Sequence, residues 1–304
     1  MFQVYSRLIR EECERLGFKP IRHTSTSFVC NGITFKKTSS STKEARDICK
    51  DKDHTKRLFI QNNVDTPNWH VLNKGEYDIQ IDFPVVIKPV DSSLSRDVFL
   101  DIRTPEEAKE KLDIVYRRKN RALVESFVVG EYYRIFATSK KVVSIVHYEK
   151  PFVMGDGVSN IRQLVDQKNI ENFTMYADKV KETVLAKTKV SEDKLSKLGL
   201  TLDYVVPNGE KLVITDFPNR SFGSIGTELM PNVDVSDFEF AVRAVNSVPG
   251  LNSNSMDVIV DENTGKKYVL EMNGTPHLRG NLWPLEGERQ PIIQEFVKIS
   301  LAIE

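Results

Sequence analysis

The sequence has little cysteine and no excess of either charge. Its three cysteines, Cys13, Cys30 and Cys49, are odd in number and lack the CxxC or Cys/His spacing of a metal site. The 43 basic residues equal the 43 acidic residues, which argues against a dedicated nucleic-acid binder. We therefore expect reduced, structural thiols, and we expect any anion binding to be local.

Long hydrophobic runs are also missing. No stretch approaches the roughly 20 apolar residues that span a bilayer. Near the start of the chain, Arg7, Arg10, Glu11 and Glu12 interrupt any core of a conventional signal peptide. These two features predict no membrane association and a cytoplasmic location.

Length and residue pattern predict an α+β protein built from several closely packed lobes. A chain of 304 residues exceeds the usual size of one compact domain. Helical spacing of apolar residues, followed by an Asn-Gly turn at 31–32, predicts a small N-terminal lobe. Strand patterns then alternate with capped helices. The predicted segments are a small lobe over 1–50, linking helices and a strand over 51–82, a nucleotide-binding subdomain over 83–150, and a C-terminal subdomain over 151–304.

A predicted hairpin near the C-terminal end brings oxygen ligands together. Asp257 lies in one strand, while Glu271 and Asn273 lie near the end of the next, after a polar turn that ends at Gly265. Mg²⁺ prefers such hard oxygen donors, with nucleotide phosphates and waters completing its shell. The hairpin therefore predicts a magnesium site, although an isolated pair of strand carboxylates more often simply faces solvent.

Two lysines precede this hairpin in positions that suit phosphate binding. Lys56 lies in a predicted helix, and Lys88 closes the apolar run 85–87 directly before Pro89. A lysine in the second position buries its stem and presents its ammonium group at the edge of the core. A lysine that merely reaches solvent from the end of a strand gives the same pattern.

Two further segments could contact a nucleotide. Ser92 and Ser93 supply hydroxyl donors in a loop without glycine, for which a plain turn is the alternative. A strand then ends at Glu125, and Glu131 follows shortly after it. Backbone and apolar groups of such a segment can bind adenine, and a carboxylate can accept hydrogen bonds from ribose.

The order of these motifs resembles the ATP-grasp superfamily over about residues 50–295. The match runs through Lys56, VVIKP ending at Pro89, VESFVVGEYYR from Val124, MDVIV from Met256 and LEMNGTP from Leu270. Within the superfamily the chain resembles the ATP-grasp domains of cyanophycin synthetases and bifunctional glutathione synthetases. The more specific segments are VMGDGVSNIRQLVDQKN, LGLTLDYVVPNGEKL and HLRGNLWPLEGERQPI. The resemblance does not extend to the first 50 residues.

The resemblance implies an α+β ATP-grasp fold, in which nucleotide is held between two lobes beside a small N-terminal lobe. It also implies a role for individual residues. These are Lys56, Lys88, Ser92 and Ser93 on the nucleotide phosphates; Glu125, Ser126, Phe127 and Val128 on adenine; Glu131 on ribose; Asp257, Glu271 and Asn273 on the metal; and Lys88, Arg134 and Arg279 as catalytic groups facing phosphates or a substrate carboxylate.

The activity that the resemblance implies is amide-bond formation driven by ATP. A carboxylate, expected from an amino acid or peptide, would be phosphorylated and then attacked by an amine, with release of ADP and phosphate. The cofactors would be ATP and Mg²⁺, with Mn²⁺ as a substitute, and a homodimer is left open. Two alternatives are a small-molecule kinase on the same scaffold and a nucleotide-binding regulator without catalysis.

Overall fold

The computed structural model describes residues 2–92, 96–179 and 185–303. The chain packs as two compact units. The first unit consists of Met1–Ile145, Asn232–Leu278 and Gln290–Glu304, and the second consists of Val146–Pro231 and Arg279–Arg289.

The first unit opens with a helix and a three-stranded antiparallel sheet. These elements are α1 (Phe2–Arg15), β1 (Ile21–Thr24), β2 (Ser27–Cys30) and β3 (Ile33–Lys36). The predicted turn is confirmed, because Asn31 and Gly32 have φ angles of 47° and 77° and join the paired strands β2 and β3. Phe28 and Phe35 stack at 4.8 Å between ring centroids, which fixes the buried face of this sheet.

A four-stranded sheet follows in the first unit, with strand order β4-β7-β5-β6. Its elements and flanking helices are α2 (Lys43–Ile48), α3 (Lys52–Gln61), β4 (Trp69–Asn73), β5 (Val85–Pro89), β6 (Phe99–Ile102), α4 (Pro105–Tyr116) and β7 (Arg121–Ser126). The Thr104 hydroxyl accepts a hydrogen bond from the Glu107 N–H and begins α4. Ala108 and Leu112 of α4 pack on the sheet face that carries Val85 and Ile87. Lys88, one residue out of phase, therefore belongs to the opposite face.

A second sheet of the first unit carries the predicted C-terminal hairpin. Its elements are β8 (Gly130–Thr138), β9 (Val142–Tyr148), β13 (Ser253–Asp261) and β14 (Lys267–Met272), and residues 142–145 of β9 belong to this unit. The helices α7 (Phe240–Asn246) and α9 (Ile292–Leu301) are also in this unit. The strand order is β9-β8-β13-β14, and β13 is antiparallel to both of its neighbours. The hairpin of β13 and β14 is therefore confirmed, and β13 is an interior strand.

The second unit is built from short elements. They are β10 (Phe152–Met154), α5 (Ile161–Met175), α6 (Glu192–Lys197), β11 (Lys211–Val213), β12 (Gly226–Glu228) and α8 (Arg279–Leu282). Strand β10 pairs with β11, and β12 pairs with the last three residues of β9, at 146–148. Asn160 caps α5 with a reciprocal capping box to Gln163, which gives this helix a defined start.

The antiparallel strand pairs confirm the predicted α+β class. The predicted division into segments 1–50, 51–82, 83–150 and 151–304 stays a prediction. Among the described residues, every helix falls short of the length and apolarity that crossing a membrane requires.

Candidate active site

Lys56, Lys88 and Glu125 meet in a buried cluster of the first unit. Strand alternation places Lys88 and Glu125 on the sheet face opposite α4, and α3 contributes Lys56. Lys56 Nζ lies 2.9 Å from Glu125 Oε2, and Lys88 Nζ donates to Glu125 Oε1. The three residues are 1%, 6% and 2% exposed, respectively. Two buried ammonium groups thus share one carboxylate.

The charged groups of this cluster shift one another's pKa values. Burial raises the pKa of Glu125, but the ammonium groups of Lys56 and Lys88 outweigh burial, so the pKa lies below its ordinary value. Burial lowers the pKa of Lys56 to about 8, with attraction to Glu125 opposing the shift and repulsion from Lys88 adding to it. When all three groups are ionised the cluster has a net positive charge, which favours binding of an anion such as a phosphate.

Replacing Glu125 with glutamine should destabilise the fold. The variant leaves two buried ammonium groups close together without their shared counterion, so the free energy of unfolding should fall by about 3 kcal/mol. Urea denaturation of both proteins measures this change. The matched control is Glu131→Gln, which changes an exposed glutamate and should alter stability by less than about 0.5 kcal/mol. Equal stability of the two variants would contradict the assignment of Glu125 as the counterion.

Lys56 also connects this cluster to β14. Its Nζ donates to Thr66 Oγ1 at 2.5 Å, and Thr66 Oγ1 donates to the Val269 carbonyl at 2.8 Å. Val269 lies in β14, two residues before Glu271. Lys56 therefore joins the lysine–glutamate cluster to the strand that carries a predicted metal ligand.

Three neighbouring strands bring Arg134, Asp257 and Glu271 into one row. Asp257 on β13 is the register partner of Arg134 on β8 and of Glu271 on β14. Arg134 Nη1 donates to Asp257 Oδ1 at 2.6 Å, and Arg134 Nε donates to Ser255 Oγ at 3.0 Å. Register partners of adjacent strands share a sheet face, so the structure holds these three predicted site residues side by side.

The two carboxylates of this row differ in their pKa shifts. Burial raises the pKa of Asp257 to about 6, with Arg134 opposing the rise and Glu271 adding to it. Burial also raises the pKa of Glu271, but the cations of Lys52, Lys88 and Arg134 outweigh it, so this pKa lies below its ordinary value. A buried carboxylate with a raised pKa is stabilised in its ionised form by a further cation.

The structure adds Lys52, which sequence reasoning missed. Lys52 is 5% exposed. Its Nζ donates to the Ser92 carbonyl at 2.7 Å and lies 3.4 Å from Glu271 Oε2. The sequence did contain a signal for Lys52, because Lys52 and Lys56 are four residues apart and so share one face of α3. A third ammonium group thus lies beside the predicted metal carboxylates.

Tyr132 is a second residue that sequence reasoning missed. Its hydroxyl donates a hydrogen bond to Asp257, and burial raises the pKa of this tyrosine well above its ordinary value. Tyr132 lies two residues before Arg134 and shares its face of β8. Glu131, predicted to bind ribose, is exposed and lies on the opposite face as the register partner of Val260. The structure therefore brings Tyr132, and not Glu131, to Asp257.

The predicted adenine segment continues directly from the buried cluster. Ser126 ends β7, and Phe127 and Val128 follow it. The Ser126 N–H donates to the Asn68 carbonyl at 2.9 Å, and the Phe127 N–H donates to the Pro84 carbonyl at 3.1 Å. These two amide donors are used within the chain, so a bound base would have to contact other groups of the segment.

Three more predicted residues belong to other segments of the chain. Ser92 lies near α3, where its carbonyl accepts the hydrogen bond from Lys52. Ser93 falls outside the described residues. Arg279 begins α8 in the second unit, and its Nε is buried without a hydrogen-bond partner among the described residues.

The oxygen-bearing side chains at the end of the hairpin fit a magnesium ion. Asn273 directly follows β14, and its side-chain Nδ2 is buried with no hydrogen-bond partner in the described part of the chain. A rotation of the Asn273 amide group by 180° would exchange its nitrogen and oxygen, and the oxygen would then take the place of this unpaired nitrogen. Within residues 2–92, 96–179 and 185–303, no group of three or more His, Cys, Asp or Glu side chains could hold a metal alone. Two carboxylates and one amide oxygen instead match an ion that takes its other ligands from phosphates and water.

Two kinds of curated protein are similar in sequence to this chain. No protein-family model matches the chain. The bifunctional glutathione biosynthesis protein GshAB of Clostridium perfringens is 27% identical over 258 residues, covering 80% of this chain and 33% of that protein. Cyanophycin synthetase of Trichormus variabilis is 27% identical over 248 residues, covering 78% and 27%. The chain therefore spans about a third or less of the length of these curated relatives.

The solved structures extend the likeness to the fold. A bifunctional glutathione synthetase from Pasteurella multocida aligns with a TM-score of 0.59 and 17% identity, covering 99% of this chain and 44% of that one. Such low identity is informative about the fold alone, and the fold is the one that the order of motifs predicted. The chain is thus similar in sequence to a glutathione biosynthesis protein and to a cyanophycin synthetase, and it shares the α+β fold of a bifunctional glutathione synthetase.

Proposed function

We propose that this chain is an ATP-dependent carboxylate–amine ligase, which forms an amide bond and releases ADP and phosphate. The observation that carries the proposal is the row in which Asp257 lies between Arg134 and Glu271, with Lys52 against Glu271. Paired carboxylates suit a divalent ion, and surrounding cations suit the phosphates of a nucleotide. The sequence similarity to ligases supports the same chemistry.

The reaction needs activation because a carboxylate and an amine do not condense spontaneously in water. Transfer of the γ-phosphoryl group of ATP to the carboxylate creates an acyl phosphate with a good leaving group. The amine then attacks the acyl carbon, a tetrahedral intermediate forms, and phosphate leaves. No enzyme nucleophile is required, so positioning and charge neutralisation by the protein supply the catalysis.

The chain's own cations perform the neutralisation. Lys88 would hold transferring phosphate oxygens, and Arg134 would stabilise charge that develops next to Asp257. Arg279, from the second unit, is proposed to bind a phosphate or the substrate carboxylate. Asp257, Glu271 and Asn273 would hold Mg²⁺, or Mn²⁺ in its place, which supplies Lewis-acid polarisation of phosphate oxygens when bound.

The remaining nucleotide contacts also stay proposals. They are Lys56, Ser92 and Ser93 toward the phosphates, Glu125, Ser126, Phe127 and Val128 toward adenine, and Glu131 toward ribose.

Because the relatives include enzymes named for glutathione biosynthesis and cyanophycin synthesis, we propose amino acids or short peptides as substrates. A supply of ATP is consistent with a cytoplasmic location.

A substrate matrix tests this function. The protein is incubated with Mg-ATP and pairs of amino acids and short peptides, while ADP release and coupled products are measured by mass spectrometry. A ligase gives ADP only when both substrates are present, together with a product lighter than their sum by one water. ADP with a phosphorylated alcohol would instead indicate a kinase, and nucleotide binding without ADP would indicate a regulator.

A further inference from the structure

Asn254 makes an unusual pair of hydrogen bonds with the main chain of Asn273. It lies in β13, three residues before Asp257, and is 0% exposed. Its side-chain Nδ2 donates to the Asn273 carbonyl at 2.8 Å, and its Oδ1 accepts from the Asn273 N–H at 3.2 Å. One buried side chain therefore satisfies both polar backbone groups of a predicted metal ligand.

The chemistry of the amide explains why this contact is specific. A carboxamide presents a carbonyl acceptor and an N–H donor in one plane, as a peptide group does, so it can extend the hydrogen bonding of β14 by one residue. The orientation of the amide is fixed by its partners, since a backbone N–H must donate and a carbonyl must accept. Asn273 lies just beyond the last residue of β14, Met272, where the strand itself no longer holds the chain.

The residue after Asn273 is held from another side. An added Cβ at Gly274 would lie 2.6 Å from the Arg46 carbonyl oxygen and 2.9 Å from Arg46 Cα, so the backbone of α2 packs closely against it. Further along the same segment, Thr38 Oγ1 donates to the Pro276 carbonyl at 2.6 Å. Contacts to its backbone thus hold the segment that follows β14. The side chain of Asn254 makes the contacts to the backbone of Asn273.

We propose that Asn254 is a positioning residue, which fixes the backbone of Asn273 so that the Asn273 amide stays beside the carboxylates of Asp257 and Glu271. The proposal rests on the proposed function, because it gives Asn273 the role of a metal ligand. Groups that orient a ligand commonly influence metal affinity by about tenfold to a hundredfold without touching the ion. Asn254 would act in this way through the main chain.

Hydrogen exchange tests the contact in the unaltered protein, without metal. The Asn273 amide should exchange slowly although it lies outside β14, because Asn254 accepts its hydrogen bond. Asn254→Ala should accelerate exchange at this amide by roughly fivefold to tenfold. The matched control is Asn252→Ala, since the Asn252 side chain contacts Ser40 and Ser41 and not Asn273. Fast exchange at Asn273 in the unaltered protein would overturn the proposal without the need for any variant.

A Mn²⁺ titration tests the consequence. Electron paramagnetic resonance measures Mn²⁺ affinity in the presence of a non-hydrolysable ATP analogue, for Asn254→Ala, Asn273→Ala, the double variant and Asn252→Ala. We expect Asn254→Ala to weaken binding by about tenfold, and the double variant to bind no more weakly than Asn273→Ala. Asn252→Ala should match the unaltered protein.

The outcomes separate this proposal from the proposed function. If the unaltered protein binds neither Mn²⁺ nor nucleotide, the proposed function fails and the role of Asn254 fails with it. If the unaltered protein binds both, and Asn254→Ala behaves like Asn252→Ala or its effect adds fully to that of Asn273→Ala, only the positioning role is overturned. Slow exchange of the Asn273 amide in the unaltered protein, faster exchange confined to that amide in Asn254→Ala, and a non-additive loss of Mn²⁺ affinity would together support it.

Discussion

Asp257→Asn is expected to reduce the ligation rate by about a thousandfold with little effect on folding. The change keeps the shape of the side chain and an oxygen for the Arg134 hydrogen bond of 2.6 Å. It removes the negative charge that the proposed divalent ion would need between β8 and β14, and metal stabilisation of a transition state generally contributes several kcal/mol. The measurement is steady-state ADP release with the substrate pair found in the matrix.

Asp257→Asn should change the free energy of unfolding far less than it changes the ligation rate. Burial raises the pKa of Asp257 to about 6, so the ionised form, which still predominates at neutral pH, is less favourable in the folded chain than in the unfolded one. Removing the charge should therefore leave the free energy of unfolding within about 1 kcal/mol of its original value. The control is Asp261→Asn at the end of the same strand, where the carboxylate caps the turn through Asn263 and Thr264. Equal activity of Asp257→Asn and Asp261→Asn would refute the metal assignment.

Lys88→Met is expected to raise the KM for ATP by about tenfold to a hundredfold. A charge-assisted hydrogen bond contributes about 1.5–3 kcal/mol, and its loss should weaken nucleotide binding accordingly. The fold should persist, because Glu125 keeps the Lys56 ammonium group at 2.9 Å and methionine retains the buried stem. ATP titrations at saturating acceptor measure the effect.

The matched control for Lys88 is Lys109→Met. Lys109 lies on the exposed side of α4 and pairs with Asp113 at 3.0 Å, so its loss should change stability by less than about 1 kcal/mol and leave ATP use unchanged. If Lys88→Met and Lys109→Met have the same KM for ATP, Lys88 does not bind the nucleotide. Its contact with Glu125 would then be structural alone.

Much of the candidate site follows from local patterns. The alternation of β13 and β14, with a turn ending at Gly265, is sufficient to predict that Asp257 and Glu271 are neighbours. The apolar run before Lys88 likewise predicts a lysine at the end of a buried strand. These predictions hold because strand periodicity and turn geometry depend on a few consecutive residues.

Other contacts had no local signal. Arg134 and Asp257 are 123 positions apart, and their pairing depends on the register of β8 against β13. A shift of one residue would exchange the faces of Tyr132 and Glu131, so the local pattern alone does not reveal that Tyr132 faces Asp257. The role of Asn254 also had no local signal, since the sequence of a strand does not reveal which backbone groups a polar side chain will contact.

The sequence by itself determined the class of fold, the C-terminal hairpin and the chemical types of the side chains near it. The tertiary structure decided which charges share a site: Lys52 against Glu271, Lys56 and Lys88 on one carboxylate, and Arg134 beside Asp257. The physical reason is that secondary structure arises from neighbouring residues. The pairing of distant charges depends instead on how helices and sheets pack, which minimises the free energy of the whole chain.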